Sequence, residues 1–510
     1  MSCASRRAAL ALCVLVGAAG ARAQEATYRV YPAPVESPTH TEPAPPADAR
    51  ALVADPADPS ASPFGWHDTD GTPGPEFTTT EGNNAVVYFG EPDGVADGGP
   101  TLGFDFPLAL ADGPSGYVDA ALTNLFYWTN YAHDVLYAYG FDEAAGNFQE
   151  NTYGRGGVGG DPVRVELTEG TGNVSFFTPP DGSRPRLRLA LAPLGDPLRH
   201  GAYDNGLVVH ELAHGLSTRL TGGPSNSGCL SNAEQMGEGW SDYYALMLTM
   251  RDADARTDAR GFGTYALGEP PDGPGSRPAP YSTSFAVNDF THGDIATLSV
   301  PSGVGFVWAT VLWEMTWDLA DAHGFSPDLL DGDGSAGNQV ALQLVTEAMK
   351  LQPCSPGFVD GRDAILAADD ALHDGANHDL LWAAFARRGL GFSAAQGSSA
   401  STADNIEAFD LPPATDGEPE SALPRLVLDP VTPNPAFGDA RVGYALTTPG
   451  PVRLTVFDVR GRTVAVLADG VRGAGRHAER LDTRTWASGV YLLRLEAGGT
   501  VQTRRFTVVR

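Results

Sequence analysis

The stretch VVHELAHGLSTRL, residues 208–220, limits this chain more than any other feature of its sequence. Residues four apart in a helix lie on one face, so His210 and His214 can present both imidazoles to one metal ion. Glu211 lies beside that face, where a carboxylate can take a proton from water at the metal. The alternative is a core helix whose two histidines are structural, because this spacing also arises by chance.

A catalytic zinc site takes three protein ligands and keeps one position open, so the two histidines need a partner. The next helical stretch, EQMGEGWSDYYALML, carries Glu238 and Asp242 four residues apart. We expect Glu238 to be the third ligand and Asp242 to hold the N–H of a ligand histidine, which fixes its tautomer. Glu234 is a competing carboxylate, but it lies about one turn earlier and has no aspartate in phase with it.

The charge balance of the 510 residues excludes one class of partner. The net charge is −30, from 33 Lys+Arg against 63 Asp+Glu, and Lys350 is the only lysine. Such a surface repels nucleic acid and anionic membranes, so we expect no nucleic-acid partner. The surface suits solubility in salt without a specific partner; the alternative is that it favours cationic substrates or bound calcium.

The N-terminus has the pattern of a secretory signal peptide over residues 1–23. Arg6 and Arg7 precede an apolar run, and an A-R-A cleavage site ends at Ala23. The run is too short for a comfortable membrane span, and no other stretch approaches one. We therefore expect an exported protein without an integral membrane segment.

Removal of the signal peptide leaves two cysteines, Cys229 and Cys354. An oxidising compartment favours a disulfide between them, which is the only pairing left. The bond would close a long loop and stabilise the fold by about 4–5 kcal/mol in the chain-entropy model. Two free buried thiols are the alternative.

Composition and periodicity divide the mature chain into four segments. Residues 24–63 are rich in Pro, Ala, Thr and Asp and predict an extended arm, and residues 64–412 form the main domain. After short strands and one helix, that domain is predicted to be mainly helical, with helices over 205–220, 234–251, 304–322, 338–351, 359–373 and 378–388. A chain whose strands come first and whose helices follow is typical of the α+β class.

Two further segments complete the chain. Residues 413–424 are a linker by composition. Residues 425–510 contain short alternating runs such as VRLTVFDV and VYLLRLEA, separated by Gly and Asp turns. This spacing predicts a small all-β sandwich domain.

Longer stretches follow the pattern of one family: HELAHGLSTRLTGGPSNSGCL, GEGWSDYYA, VWATVLWEMTWDL and LQPCSPGFVDGRDAILAADDAL. With these motifs the chain resembles a fungalysin-type zinc metallopeptidase, a relative of thermolysin, over roughly residues 25–412. The resemblance implies a thermolysin-like domain and endopeptidase activity on proteins. It also implies a zinc ion held by His210, His214 and Glu238, with Glu211 as general base.

The resemblance implies a mechanism in which zinc activates water and Glu211 moves its proton to the leaving amine. By looser analogy with thermolysin, Asn173 is expected to bind the substrate backbone. One departure concerns the oxyanion: in SVPSGVGFVWAT, Ser302 stands where the family pattern has a histidine. Serine can donate a hydrogen bond but is shorter and uncharged. His292, ten residues earlier, is a candidate substitute; an exposed loop histidine is the alternative.

A second departure concerns the control of activity. Fungalysins carry a large inhibitory pro-domain before the catalytic domain, and residues 24–63 are too few to form one. We therefore expect either that the pro-domain is absent or that this sequence begins late.

The C-terminal segment has its own resemblance, carried by PNPAFGDARVGYAL, VFDVRGRTV and WASGVYLLRLEAGG. These stretches resemble the type A sorting domain of type IX secretion. The resemblance implies the type IX secretion machinery as a partner and a secreted, extracellular or cell-surface location. The alternative is a generic sandwich that binds carbohydrate or another partner.

Three functions follow from these features. A secreted zinc endopeptidase acting on proteins or peptides is favoured, because the ligands and Glu211 are intact. The others are a zinc-binding pseudoenzyme weakened by Ser302 and a surface-binding protein that uses the sandwich. Calcium is a further candidate ion: DLLDGDGSAGN offers Asp331 and Asp333, although an exposed turn is the other interpretation.

Overall fold

The computed structural model describes residues 26–41, 44–45, 47–171, 174–191, 199–413, 427–432, 434, 436–446, 449–458, 462–473, 475–497 and 500–509. The predicted signal peptide, Asn173 and nearly all of the predicted linker lie outside these residues. The chain divides into two compact units between Pro412 and Pro413. No helix within the described ranges has the length and apolar character needed to cross a membrane.

The first half of the first unit contains short strands around one long helix. Its elements are β1 (Thr27–Val30), β2 (Ala51–Ala54), β3 (Ala85–Phe89), β4 (Gly103–Phe104), α1 (Val118–Ala138), β5 (Val163–Thr171), β6 (Ser175–Phe177) and β7 (Arg186–Leu191). One sheet has the order β2-β1-β4. The other has the order β3-β5-β7-β6, in which β6 is an antiparallel edge strand on otherwise parallel neighbours. In β7 the alternation buries Leu187 and Leu189 and exposes Arg186 and Arg188.

The N-terminal segment is not the extended arm that its composition predicts. Strand β1 pairs antiparallel with β2 and parallel with β4, and both Tyr28 and Tyr31 are buried. Asn124 Oδ1 in α1 accepts a hydrogen bond from Tyr31 N–H at 3.1 Å, and Trp128 Nε1 donates one to Tyr31 O at 2.8 Å. The prediction was wrong because four residues of strand are too few for a visible periodicity among prolines.

The second half of the first unit is mainly helical, which confirms the α+β class. Its helices are α2 (Asn205–Leu220), α3 (Gly237–Leu248), α4 (Thr264–Leu267), α5 (Ser302–His323), α6 (Gly337–Leu351), α7 (Phe358–His373) and α8 (His378–Arg387). Helix α5 is buried almost all round, as its continuous apolar sequence requires. Helices α3, α6 and α8 pack against it.

One disulfide joins distant parts of this unit, as predicted. Cys229 and Cys354 are bonded across 125 residues of sequence. Ser355 N–H donates to Cys229 O at 2.9 Å, and Gln352 Nε2 donates to Thr221 Oγ1 at 2.9 Å. The segment that follows α2 is therefore fixed to the connection between α6 and α7.

The second unit is built from strands. They are β8 (Val427–Thr432), β9 (Asp439–Leu446), β10 (Gly450–Asp458), β11 (Thr463–Arg472), β12 (Gly475–Asp482), β13 (Gly489–Ala497) and β14 (Thr500–Val508). They form two antiparallel sheets, of order β11-β10-β13-β14 and β12-β9-β8. Both sheets contribute to one buried apolar cluster, for example Val442 and Tyr444 from one and Val456 and Leu493 from the other.

Candidate active site

Helix α2 carries the two histidines of the HExxH motif, and its first turn is fixed before the motif begins. Asp204 caps the helix by accepting the Leu207 N–H on Oδ1 at 3.2 Å. Asn205 Nδ2 donates to Val35 O at 2.7 Å, while Asn124 Nδ2 donates to Asn205 Oδ1 at 2.8 Å. Residues far away in sequence therefore set the direction in which the two histidines point.

The side chains of His210, His214 and Glu238 converge. One donor atom of each lies within 4.8 Å of the others. Glu238 Oε2 lies 3.6 Å from His210 Nε2, and Glu238 Oε1 lies 3.6 Å from His214 Nε2. Ligands at about 2.0–2.1 Å from a tetrahedral zinc ion are about 3.3–3.4 Å apart, so these donors fit zinc with a small adjustment.

Two glycines allow the helix that carries Glu238 to approach α5 closely. A Cβ atom on Gly305 would overlap Glu238 Cβ, and one on Gly239 would overlap Gly305 O. Glycine removes the side chain that would keep these backbones apart. Ser302, at the start of α5, thereby comes to line the same cleft as Glu238.

Asp242 is fully buried behind the ligands, where it contacts His210 and an arginine. Its Oδ1 lies 2.7 Å from His210 Nδ1, close enough to hold the N–H of that imidazole. Arg277 donates to Asp242 at 2.5 and 2.8 Å and to Glu238 Oε2 at 3.1 Å. Tyr281 OH also donates to Asp242. Burial would raise the pKa of Asp242, but Arg277 and then His210 hold it far below the usual range, so the carboxylate stays ionised.

Arg277 and Tyr281 were not expected at this site from the sequence. Both come from the irregular segment GSRPAPYSTS, which has no helix or strand periodicity to place its side chains. Arg277 is one of 33 Lys+Arg residues, and no feature of the sequence distinguishes it from the others.

The two histidines differ in their electrostatic surroundings. Burial, and then the neighbouring His210, lowers the pKa of His214 to about 3, so its ring is neutral and has a lone pair for a metal ion. Burial also disfavours charge on His210, but the contact with Asp242 outweighs it and raises the pKa. The Asp242 contact at Nδ1 leaves His210 Nε2 directed to the ligand cluster.

Glu211 has the surroundings of a proton acceptor. Its side chain is 5% exposed, and Oε2 has no hydrogen-bond partner in the described part of the chain. Burial raises the pKa of Glu211 to about 7; His210 opposes the rise and Glu238 adds to it. A carboxylate with a pKa near neutral can both take up and release a proton at working pH.

His210, Glu211, His214 and Glu238 line an open cleft of about 940 Å³. The lining also includes edge strand β6 and is partly apolar, with Phe176, Leu207, Phe262 and Leu267. An exposed sheet edge can hydrogen-bond an extended peptide as an added strand. The cleft therefore has room and backbone groups for a polypeptide next to the ligand cluster.

Other predicted residues do not join this site. His292 is fully buried, stacks on Phe358 with 5.2 Å between ring centroids, and is not among the described residues that line the cleft. It is therefore neither the substitute oxyanion donor nor the exposed loop residue that the sequence suggested. Glu234 is also fully buried outside the cleft, and burial raises its pKa to about 8.

The predicted calcium ligands Asp331 and Asp333 lie in an exposed turn, closed by a hydrogen bond from Gly334 N–H to Asp331 O at 3.1 Å. Neither belongs to a cluster of three metal-ligating groups among the described residues. The two residues thus lie in the exposed turn that the sequence also suggested, and calcium at this loop stays a prediction.

Comparison with known proteins is consistent with this geometry. A family model for the fungalysin metallopeptidase (M36) matches residues 27–394, and a model for a secretion system C-terminal sorting domain matches residues 430–509. An extracellular metalloproteinase MEP of Neosartorya fischeri is 42% identical over 386 residues, covering 72% of this chain and 59% of the relative.

Two further relatives show the same extent of similarity. An extracellular metalloproteinase MEP of Pyricularia oryzae is 43% identical over 390 residues, covering 73% of this chain and 60% of the relative. Extracellular metalloproteinase 2 of Trichophyton tonsurans is 39% identical over 407 residues, covering 76% and 61%. The chain spans about three fifths of the length of the curated relatives it matches. Because the first family model matches most of its residues, the chain belongs to the fungalysin metallopeptidase family.

Proposed function

We propose that this chain is a secreted zinc-dependent endopeptidase that hydrolyses peptide bonds in proteins, with Glu211 as general base. The observation that carries the proposal is the convergence of three ligand side chains and one unpartnered buried carboxylate on the wall of an open cleft. The extracellular metalloproteinases among its relatives support the same activity and location.

His210, His214 and Glu238 would hold the zinc ion, since their nitrogen and oxygen donors suit it and their spacing fits. When bound, zinc supplies Lewis acidity at the scissile carbonyl and makes water a stronger acid. Asp242 keeps His210 Nε2 available by contacting Nδ1, and Arg277 keeps Asp242 ionised. Both residues therefore position a ligand, and Asp242 is not among the described residues that line the cleft.

Glu211 performs the proton transfers. Its Oε2 is buried, without a partner, and on the cleft wall, where it can accept a proton from the attacking water. The same carboxyl then returns the proton to the leaving amine nitrogen, so that the enzyme ends in its starting state. Partial burial excludes bulk water from this carboxyl and strengthens its interactions.

Substrate binding would use the edge of the sheet. Strand β6 lines the cleft and has β7 as its only sheet neighbour among the described strands, so an extended peptide can pair along it. Phe176 and Phe262 provide apolar surface for substrate side chains. We also propose that Asn173, just before this strand in sequence, binds substrate backbone.

A second candidate function rests on Ser302. Its side chain lines the cleft at the first turn of α5, beside the proposed ligand Glu238, and it replaces the histidine that the family resemblance implies. A weak oxyanion donor at this place would leave a zinc-binding protein with low turnover. Zinc binding without turnover would therefore identify a pseudoenzyme.

Export would use both ends of the chain. The predicted signal peptide would direct the chain out of the cytoplasm. The C-terminal unit matches a secretion sorting domain, and we propose that it engages the type IX secretion machinery. A surface-binding role for this unit is the alternative, which retention of an intact tail on the exported protein would favour.

The deciding experiment is casein hydrolysis by the exported, zinc-loaded protein beside Glu211→Gln. Zinc content and circular dichroism are measured on both proteins, so that loss of metal or fold is detected separately. Activity in the unchanged protein and its loss in folded, zinc-loaded Glu211→Gln are expected. Equal hydrolysis by both proteins would overturn the role of Glu211, and zinc-loaded protein without any hydrolysis would favour the pseudoenzyme.

A further inference from the structure

A second group of carboxylates gathers in the loop between β2 and β3. One oxygen from each of Asp68, Asp70 and Glu76 lies within 4.8 Å of the others. We propose that these three residues form a calcium site, separate from the zinc ligands. None of them lines the catalytic cleft.

The buried member of the cluster is the observation that points to a cation. Asp68 is fully buried. Its Oδ1 accepts a hydrogen bond from Gly71 N–H at 2.8 Å, but Oδ2 has no hydrogen-bond partner among the described residues. A buried carboxylate oxygen without a donor destabilises the fold, because it has lost its hydrogen bonds to water and made none within the protein. A bound cation would satisfy it.

The other two members leave the site open to solvent. Asp70 and Glu76 are exposed. Asp70 Oδ1 accepts the Thr72 N–H at 2.7 Å, and Glu76 Oε2 accepts the Thr69 N–H at 2.6 Å. These hydrogen bonds hold both carboxylates in the loop. The second oxygen of each carboxylate stays available for an ion. An ion can therefore enter from the exposed side and reach the buried Asp68.

The described residues supply no positive charge to balance the cluster. No arginine, lysine or histidine nitrogen lies within ion-pair distance of the three carboxylates in the described ranges of the chain. Burial raises the pKa of Asp68 to about 6 against the Gly71 hydrogen bond, and the charges of Glu76 and Asp70 add to the rise. At neutral pH three mutually repelling carboxylates therefore remain unless a cation binds between them.

The donor set favours calcium. All three side chains offer oxygen, which hard cations prefer and which softer metals such as copper do not. Oxygens bound to one calcium ion at about 2.4 Å can be at most about 4.8 Å apart, and the cluster meets that limit. Calcium also accepts six to eight oxygens in irregular arrangements, so backbone oxygens and water can complete an exposed loop site.

The test uses the full-length protein, zinc-loaded and carrying Glu211→Gln so that self-cleavage does not interfere. Terbium, an oxygen-binding substitute for calcium, is titrated while its emission is excited through tryptophan; Trp66 lies two residues before Asp68. We expect one terbium ion that calcium displaces with a Kd of about 10⁻⁴–10⁻³ M, as in extracellular calcium modules. Calcium at about ten times its Kd should raise the Tm by about 2 °C.

Three variants decide the assignment. Asp68→Asn and Glu76→Gln should lose the terbium signal and the Tm shift, whereas Asp331→Asn with Asp333→Asn, an exposed acidic turn, should keep both. If Asp68→Asn does not fold, Glu76→Gln decides the assignment alone. Glu76 is exposed, so its substitution is expected to leave the fold intact. The proposal is overturned if calcium leaves the Tm unchanged, or if a folded variant of the cluster binds terbium as the parent does. Because hydrolysis is not measured, this result is independent of the proposed protease activity.

Discussion

Arg277 and Asp242 form a bidentate ion pair behind the proposed zinc ligands, with Nε 2.5 Å from Oδ2 and Nη2 2.8 Å from Oδ1. Both side chains are buried, 6% and 0% exposed. The same guanidinium stacks on the Phe262 ring at 4.6 Å, and that ring also contacts His210. The pair therefore links a loop without regular structure to helix α3, which carries Asp242.

Arg277→Met should damage both stability and metal binding. Without the guanidinium, Asp242 remains as a buried charge without compensation, which costs about 3–5 kcal/mol of unfolding free energy. Asp242 would then be protonated more readily and hold His210 less firmly, so zinc affinity should fall about 10- to 100-fold. Urea unfolding and competition with a zinc chelator measure the two effects.

Arg277→Lys is the matched control for this pair. Lysine keeps the positive charge but cannot donate two parallel hydrogen bonds, so its losses should lie between those of the parent and Arg277→Met. A zinc affinity that stays unchanged in Arg277→Met would show that Asp242 does not depend on Arg277.

Ser302→His should raise kcat by roughly ten- to a hundredfold. A histidine at the first turn of α5 would offer a longer and, when protonated, charged donor to the oxyanion, which matters in the transition state more than in the ground state. Ser302 is only partly buried and faces the cleft, so a larger side chain has room. Steady-state kinetics on a peptide substrate measures kcat and KM separately, with Ser302→Ala as control. An unchanged or lower kcat in Ser302→His would contradict the role of this position.

The ligand cluster could be predicted from sequence because helical spacing fixes geometry. His210 and His214 share a face of one helix, and Glu238 and Asp242 share a face of the next, so each pair was placed before any tertiary contact was known. The α+β class followed in the same way from long periodic segments.

Other parts could not be predicted, since their positions depend on contacts between distant residues. Arg277 lies in an irregular loop, and nothing in its neighbours shows that it reaches Asp242. Tyr31 belongs to a proline-rich segment, and its burial depends on Asn124 and Trp128, almost a hundred residues later. His292 was misjudged for the same reason, because the ring that covers it, Phe358, comes from another helix.

Removal of the disulfide should lower stability without disturbing the ligand cluster. The bond between Cys229 and Cys354 closes a loop of 125 residues, which corresponds to about 5 kcal/mol in the chain-entropy model. Cys229→Ser with Cys354→Ser should lose roughly this amount in urea unfolding of the zinc-loaded protein and keep its zinc content. A loss below about 1 kcal/mol would mean that the hydrogen bonds around the bridge already hold the two segments together.

Asp204 should make the stability of the first unit fall as the pH rises. The side chain is 1% exposed, and burial raises its pKa to about 7, with the charge of Glu36 adding to the rise. The folded chain thus binds this proton more tightly than the unfolded chain, whose aspartate has a pKa of about 3.9. The stabilisation is fully present below about pH 4 and is lost as the pH rises through about 7.

Asp204→Asn should remove this dependence, because the amide resembles the neutral acid and can still cap α2 by accepting the Leu207 N–H. Asparagine cannot ionise, so the stability of the variant relative to the parent should improve by about 3 kcal/mol between pH 4 and pH 7. The second hydrogen bond, from Ala266 N–H to Oδ2 at 3.2 Å, is lost in the variant because an amide NH2 cannot accept it, which adds a constant loss at every pH. Urea unfolding of both proteins across this range measures the difference, and a difference that does not change with pH would show that Asp204 is ionised throughout.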